Sequence, residues 1–275
     1  MAISDKLTKL STDITNAYNS VQEKGGTIPT NKNTENLSEA IDSIETYKNE
    51  FTNLVGYSYF NTQSLPSELT NIREYIFYNC TSLALTSLPD GITYIGDYAF
   101  FYCNKLALTS LPSALTYIGK WAFFNCTKLA LTSLPAGLEV INNSTFHGCS
   151  ELALTSLPDG LTKIGDNAFI YCKKLNITNI PSGVTSIGYC AFRECTSIKE
   201  ITLPAGLTSI GPQAFQDCTN LTTLKVLAPT PPTVDSDNAF KGCTKLTRIE
   251  VPSASLGAYK TAKVWSNYAN LMVGV

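Results

Sequence analysis

One histidine and nine cysteines are the residues of this 275-residue chain whose types most readily suggest nucleophilic or metal-ligating chemistry. His147 has no second histidine to share a metal with. The chain holds no Walker A motif, nucleophile elbow, zinc-binding pair or dinucleotide fingerprint. Eight cysteines, Cys80, Cys103, Cys126, Cys149, Cys172, Cys195, Cys218 and Cys243, follow one another at 23 residues until the last, which comes at 25. Zinc ligation wants two to four residues between cysteines, so this spacing does not suit it. Disulfides between neighbouring turns are conceivable, yet every cysteine would have a neighbour on each side and no unique partner. A small apolar side chain filling a tight corner is the simpler account. Cys190 stands outside the column and forms a C-x4-C pair with Cys195; both are read as free thiols. No catalytic residue, metal or cofactor is expected, and the chain is read as a non-enzyme.

The cysteine spacing belongs to a repeat that must position everything else. Pro66, Pro89, Pro112, Pro135, Pro158, Pro181 and Pro204 share it, and a last unit arrives two residues late with Pro229, Phe240, Cys243 and Pro252. The unit reads P-x-x-L-x-x-I-G-x-x-A-F-x-x-C-x-x-L, followed by a short strand ending in Leu-Pro. In the unit from Pro89 the pattern is filled by Ile92, Ile95, Gly96, Ala99, Phe100, Cys103, Leu106, Leu108 and Leu111. Gly96, Gly119, Gly165, Gly188 and Gly211 are expected at φ > 0 in a tight corner, with Asn142 as their αL-tolerant substitute and Arg73 and Ser236 breaking the column at its ends. One unit buries about eight apolar side chains, worth roughly 12–24 kcal/mol. Ordering its residues costs about 35 kcal/mol. It folds only by stacking on copies of itself. The fold expected is therefore a leucine-rich-repeat solenoid of short parallel β-strands, about eight 23-residue units and roughly 40 Å long.

The pattern resembles the BspA-like, Treponema-type leucine-rich repeats, over about Leu65 to Val251 and most closely in Leu88 to Cys103. Members of that family are mostly bacterial surface or secreted adhesion proteins, so the resemblance implies recognition and no chemistry. Val251 to Ala269 looks like the closing cap common in the family. Physically it reads as a helix after Pro252, with Leu256, Tyr259, Trp265 and Tyr268 available to cover the last turn. The expected organisation is a helical attachment or oligomerisation segment over 1–50, a cap over 51–65 that includes Val55, Tyr57, Tyr59 and Phe60, the solenoid over 66–252, and a closing cap over 253–275.

The first 50 residues contain no cysteine and show two helical patterns. Ile3, Leu7, Leu10, Ile14, Ala17 and Val21 recur at the a/d spacing of a coiled coil, and Gly25 to Pro29 ends that run. A second short helix follows, with Leu37, Ala40, Ile41 and Ile44 on one face. A hairpin closed on itself is one reading, and a homotrimeric stalk is the other. This stretch also resembles the start of tail and baseplate proteins from phages of Gram-positive gut bacteria. That resemblance implies a virion protein released by lysis, and it agrees with a first stretch that lacks the apolar h-region of a signal peptide. With a net charge of −2 and no basic run, nucleic acid is not an expected partner. No stretch reaches the ~18 apolar residues of a membrane span, so insertion is not expected either.

The variable columns carry the functional signal. Nine residues after each proline stand Tyr75, Tyr98, Trp121, Ser144, Asn167, Cys190, Gln213 and Asn238. Twelve residues after stand Tyr78, Phe101, Phe124, His147, Ile170, Arg193, Gln216 and Lys241, and the fifth position adds Tyr94 and Tyr117. His147 is thus a surface variant of a column. Aromatic residues crowd the first three turns, which the scaffold alone does not demand. A contiguous aromatic surface suits a protein partner or a cell-surface glycan. The alternative is that these rings pack between turns or against the N-terminal helices. A recurring Ala-Leu-Thr-Ser puts ladders of Thr86, Thr109, Thr132, Thr155 and Ser87, Ser110, Ser133, Ser156 on the strand face, where small hydroxyls keep a β surface soluble. The first functional expectation is a phage tail-associated receptor-binding protein. The second is a bacterial cell-surface or secreted adhesin.

Overall fold

The computed structural model describes Leu65, Ser67 and residues 69–275, all within one compact unit. The expected helices of 1–50, the seam from Ile3 to Val21, and the cap residues 51–64 lie outside the described residues. Each turn of the solenoid contributes a two-residue strand at the fifth and sixth positions after its proline, or in the last turn at the fourth and fifth. These are β1 (Asn71–Ile72), β2 (Tyr94–Ile95), β3 (Tyr117–Ile118), β4 (Val140–Ile141), β5 (Lys163–Ile164), β6 (Ser186–Ile187), β8 (Ser209–Ile210) and β10 (Thr233–Val234). They pair in parallel, in register from turn to turn, as β1-β2-β3 and β4-β5-β6-β8-β10. The ladder breaks between β3 and β4, at the one turn where asparagine replaces the column glycine. There the Asn142 side-chain amide donates to the Ile118 carbonyl at 2.8 Å, in place of the backbone bond that Gly119 N–H gives Ile95 in the turn before.

The second set of strands is confined to the later turns: β7 (Glu200–Leu203), β9 (Thr223–Val226), β11 (Arg248–Val251) and β12 (Met272–Gly274), paired β12-β11-β9-β7. The strand expected before each Leu-Pro is absent from the earlier turns, where the Ala-Leu-Thr-Ser segments keep one inter-turn bond each, as in Ala107 N–H to Leu85 O at 3.0 Å. Thr86, Thr109, Thr132 and Thr155 and the serines after them are exposed, but they line an irregular edge and not a strand.

The column glycines correct a second expectation. None of Gly96, Gly119, Gly165, Gly188 and Gly211 has positive φ, and neither has Asn142. The left-handed residues lie two positions later, at Tyr75, Tyr98, Trp121, Ser144, Asn167, Cys190 and Gln213, with φ from 52° to 59°. A second left-handed position follows four residues on, at Asn79, Tyr102, Asn125, Tyr171, Glu194 and Asp217, with Gly148 and Gly242 at 74° and 79°. The column is glycine because turns touch there: a Cβ on Gly119 would stand 2.4 Å from Asp97 N, and one on Gly188 2.5 Å from Gly165 C.

The core is a set of columns. Phe77, Phe100, Phe123, Phe146, Phe169, Phe192, Phe215 and Phe240 stack between successive turns, with centroids 5.2–5.7 Å apart. Beside them run the buried cysteines. From Cys103 to Cys243 each column thiol donates to a phenylalanine carbonyl of the preceding turn, at 2.9–3.1 Å. The cysteine is therefore more than a small apolar filler, because its weak donor satisfies a buried acceptor that alanine would leave with less. The nine cysteines are in no disulfide. Burial pushes the column thiols above their ordinary value, Cys243 up to about 12.

After Pro252 the chain forms a helical turn at Ser253–Ser255, an α-helix over Leu256–Thr261 and a second tight helical segment over Trp265–Leu271 before β12. Tyr259 and Trp265 are buried, while Leu256 and Tyr268 are half-buried. Phe240 ends its stack against Trp265 at 5.7 Å. The Trp265 indole N–H donates to Pro232 O at 2.8 Å and the Tyr259 hydroxyl to Ala228 O at 2.7 Å.

Candidate functional site

The left-handed residue at the ninth position sets its side chain beside that of the twelfth, so the two columns form one stripe. In the first turns the stripe is aromatic. Tyr75 stacks on Tyr98 at 4.8 Å and 7°, and Tyr98 on Trp121 at 6.0 Å and 2°. Tyr78 stacks on Phe101 at 4.8 Å and 4°, and Phe101 on Phe124 at 4.8 Å and 13°. The columns touch each other through Trp121–Phe124 at 5.0 Å and Tyr98–Phe101 at 5.5 Å. Six of the eight expected rings are thus one cluster. The other two, Tyr94 and Tyr117, stack on each other at 4.9 Å on strands β2 and β3 and share no ring contact with the six.

The rings are partly covered by their neighbours. Tyr75 and Tyr117 are 41% and 38% exposed, and Tyr78, Tyr94, Tyr98, Phe101, Trp121 and Phe124 are half-buried. Both readings of the columns therefore hold in part: the rings pack between turns and still present their rims to solvent. Stacking at 2–13° uses the ring faces within the stripe, so solvent meets edges and hydroxyls. Burial first holds the phenols of Tyr75, Tyr94 and Tyr117 above their ordinary range, and the charges of Glu74 and Asp97 and, for Tyr75 and Tyr117, neighbouring tyrosines raise them further. They remain hydrogen-bond donors at neutral pH.

Two residues, Tyr102 and Tyr171, are not in the columns singled out from the sequence, and His147 from the twelfth-position column joins them. Tyr102, 40% exposed at the second left-handed position, meets Phe101 edge-on at 4.8 Å and Phe124 at 5.3 Å. His147 lies on Phe124 at 4.4 Å, and Tyr171 meets His147 edge-on at 5.8 Å, carrying the stripe into the fifth turn. The thirteenth position was a third column that could have been compared in the same way. Burial keeps the His147 imidazole below its ordinary pKa, hence neutral at pH 7. Its Nδ1 and the fully buried Ser144 Oγ have no hydrogen-bond partner. Beyond them the stripe turns polar: Cys190 Sγ and the Tyr189 hydroxyl both donate to Gln213 Oε1, at 3.0 and 3.2 Å.

Among the described residues no group of three or more His, Cys, Asp or Glu side chains is placed to hold a metal ion, and no helix is long and apolar enough to cross a membrane. The repeat, its parallel ladders and its outward stripe define a leucine-rich-repeat solenoid that displays variable side chains on a constant core. The family model described as BspA type leucine rich repeat region matches residues 44–176 and 171–262, and the chain belongs to that family. Similar solved structures include a leucine rich cell surface protein from Faecalibacterium prausnitzii A2-165, 25% identical, with a TM-score of 0.47, over 77% of this chain and 63% of that one. The chain thus spans less than two thirds of that protein's length. The leucine rich repeat protein of T. pallidum is 24% identical with a TM-score of 0.44, over 72% of this chain and 85% of that one. The pneumococcal vaccine antigen PcpA is 19% identical with a TM-score of 0.38, over 72% and 66%. No curated protein matches the chain significantly.

Proposed function

We propose that the chain is a non-catalytic recognition protein of a bacterial surface, an adhesin that holds a protein or cell-surface glycan against its aromatic stripe. The observation that carries this reading is the cluster of Tyr75, Tyr78, Tyr98, Phe101, Trp121 and Phe124. Its rims face solvent on a scaffold whose core would be the same without it. Tyr, Trp and Phe are the residues that concentrate binding energy at interfaces, where burying an exposed edge and satisfying a phenol act together. Tyr94 and Tyr117 would form a separate contact on the strand side. Attachment through a virion tail, and a trimer through Ile3 to Val21, rest on residues outside the described ones, and no observation of the solenoid favours them over the cell surface.

The test uses the full chain immobilised against a panel of extracellular-matrix proteins and a glycan array, with Tyr75→Ser and Tyr102→Ser beside wild type. Both rings are exposed, so thermal unfolding should be nearly unchanged. A ligand whose affinity falls at least about tenfold in either variant supports the stripe. Ligands bound equally by all three proteins, or by none, rule it out.

A further inference from the structure

The last turn differs from the others in two places that meet. The chain is two residues longer over Leu224 to Pro232, and the segment after Pro252 takes the place of a following turn. Between them lies a cavity of about 300 Å3, far along the stack from the aromatic stripe. Pro231, Pro232, Val234 and Trp265 give it apolar walls, while Asp235 lines it from just after β10 and Lys263 from the closing segment.

The walls are fixed from several sides. Trp265 Nε1 is bonded to Pro232 O, Tyr259 to Ala228 O and Ser255 Oγ to Pro229 O at 2.6 Å. Val264, between the lining residues Lys263 and Trp265, has φ 67° and ψ −46°, a strained conformation for a β-branched residue. That conformation places two consecutive turns of the closing segment so that Lys263 and Trp265 border the same space. Strain of this kind persists only where the surroundings over-determine it, and it concentrates at ligand clamps. Asp235 and Lys263 make no ion pair with each other or with any other described residue. Both side chains are exposed and line the open cleft together with its apolar residues, so a ligand with separated charges could meet one charge of each sign there.

We propose that this cavity binds a small zwitterion with an apolar body, a free α-amino acid of about leucine size. The ammonium group faces Asp235, the carboxylate faces Lys263, and the side chain lies against Pro231, Pro232 and the Trp265 indole. The volume stands at the lower end of the range for small-molecule sites, which suits a ligand of this size. The site is independent of the aromatic stripe.

The chain has two tryptophans, so a 1H–15N spectrum on a Trp121→Phe background isolates the Trp265 indole N–H. The full chain is titrated with leucine, with leucinamide, which lacks the negative charge, and with N-acetylleucine, which lacks the positive one. Leucine should shift the Trp265 signal saturably, and each blocked analogue should bind about tenfold more weakly. Lys263→Gln should erase the preference for leucine over leucinamide, and Asp235→Asn the preference over N-acetylleucine. The proposal is overturned if leucine fails to saturate the signal up to its solubility limit. It is equally overturned if the three compounds bind alike, or if neither variant changes their order.

Discussion

In the turn leading to Pro112, Leu106 and Leu108 are buried, Thr109 and Ser110 are exposed, and Leu111 is half-buried. In the turn leading to Pro204, Ile198 is buried, Lys199 and Glu200 are exposed, and then Ile201 and Leu203 are buried on either side of the half-buried Thr202. Both stretches have the same length and the same number of apolar anchors. Only the place of the two exposed residues differs. In the later turns they come first, which leaves an alternation of period two before the proline, and a four-residue ladder forms. In the earlier turns they come last, the alternation is broken, and a single bond remains. The same early turns carry the stacked rings, and the later ones carry Cys190, Arg193, Gln213 and Gln216 in the same columns. A constant core at constant pitch therefore leaves both the edge and the stripe free to vary, and the two have changed together near the middle of the stack.

If the core is common to both halves, alkali should unfold them together. The eight column thiols are all held above their ordinary value near 9 by burial, and Cys243 to about 12. A raised pKa means that the folded chain keeps protons which the unfolded chain releases. The stabilisation is whole below pH 9 and falls as pH rises from there towards the folded values. Each thiol contributes about 1.4 kcal/mol per pH unit to that slope. Urea unfolding monitored at pH 8, 9 and 10 should show one steep transition whose midpoint drops sharply above pH 9. Two separated transitions, or a flat profile, would break the idea of a shared core.

The glycine column makes the second check. Gly119→Ala in the early turns and Gly188→Ala in the later ones each place a Cβ within 2.6 Å of backbone that side-chain motion cannot relieve. Each should lose about 3 kcal/mol or more in denaturant unfolding. Gly257→Ala, with nothing within 4 Å, should change little. A large difference between Gly119→Ala and Gly188→Ala would show that inter-turn contact is tighter in one half.

Hydrogen exchange sharpens the contrast between the edges. Among the described residues the amides of Thr109, Ser110, Thr132 and Ser133 donate to no protein group, whereas Thr223–Val226 lies between two paired strands. The first four should exchange within the dead time of a manual experiment, and those of β9 should be protected by a factor of about 100 or more. Equal protection would remove the difference.

These features differ in how far the residues alone disclose them. The 23-residue spacing states the fold, because only stacked turns can bury Ile95, Phe100, Cys103 and Leu106 together. The stripe was legible as columns of Tyr, Trp and Phe, and six of its rings do cluster. Its left-handed backbone was not legible, since Tyr98 and Trp121 are residues that rarely adopt positive φ when free to choose. Glycine at Gly96 suggested the turn conformation, whereas the constraint there comes from Glu74 and Arg73 of another turn, to which a pattern within one unit is blind. The strand before proline forms in the later turns, as at Glu200–Leu203, and not in the earlier ones, a difference that the alternation around Ile201 and Leu203 announces. Reading one consensus for all units hid the change of phase.

His147→Phe tests the boundary itself, with the smallest expected effect. His147 already lies on Phe124 at 4.4 Å and faces Tyr171, so phenylalanine should extend the stack by one ring. It also removes the buried Nδ1 that has no partner. The gain should be about 0.5–1 kcal/mol at pH 7. It should grow as pH falls below 6.5. Burial depresses the imidazole in the folded chain, so the native protein loses stability as its unfolded form takes up a proton, and the variant has no such loss. An unchanged or lower stability would mean that the stripe ends at Phe124 for a packing reason, and that the polar half begins at Ser144 because its buried turn, with Thr145 bonded to Gly119 O and Asn142 O, accepts nothing larger beside it.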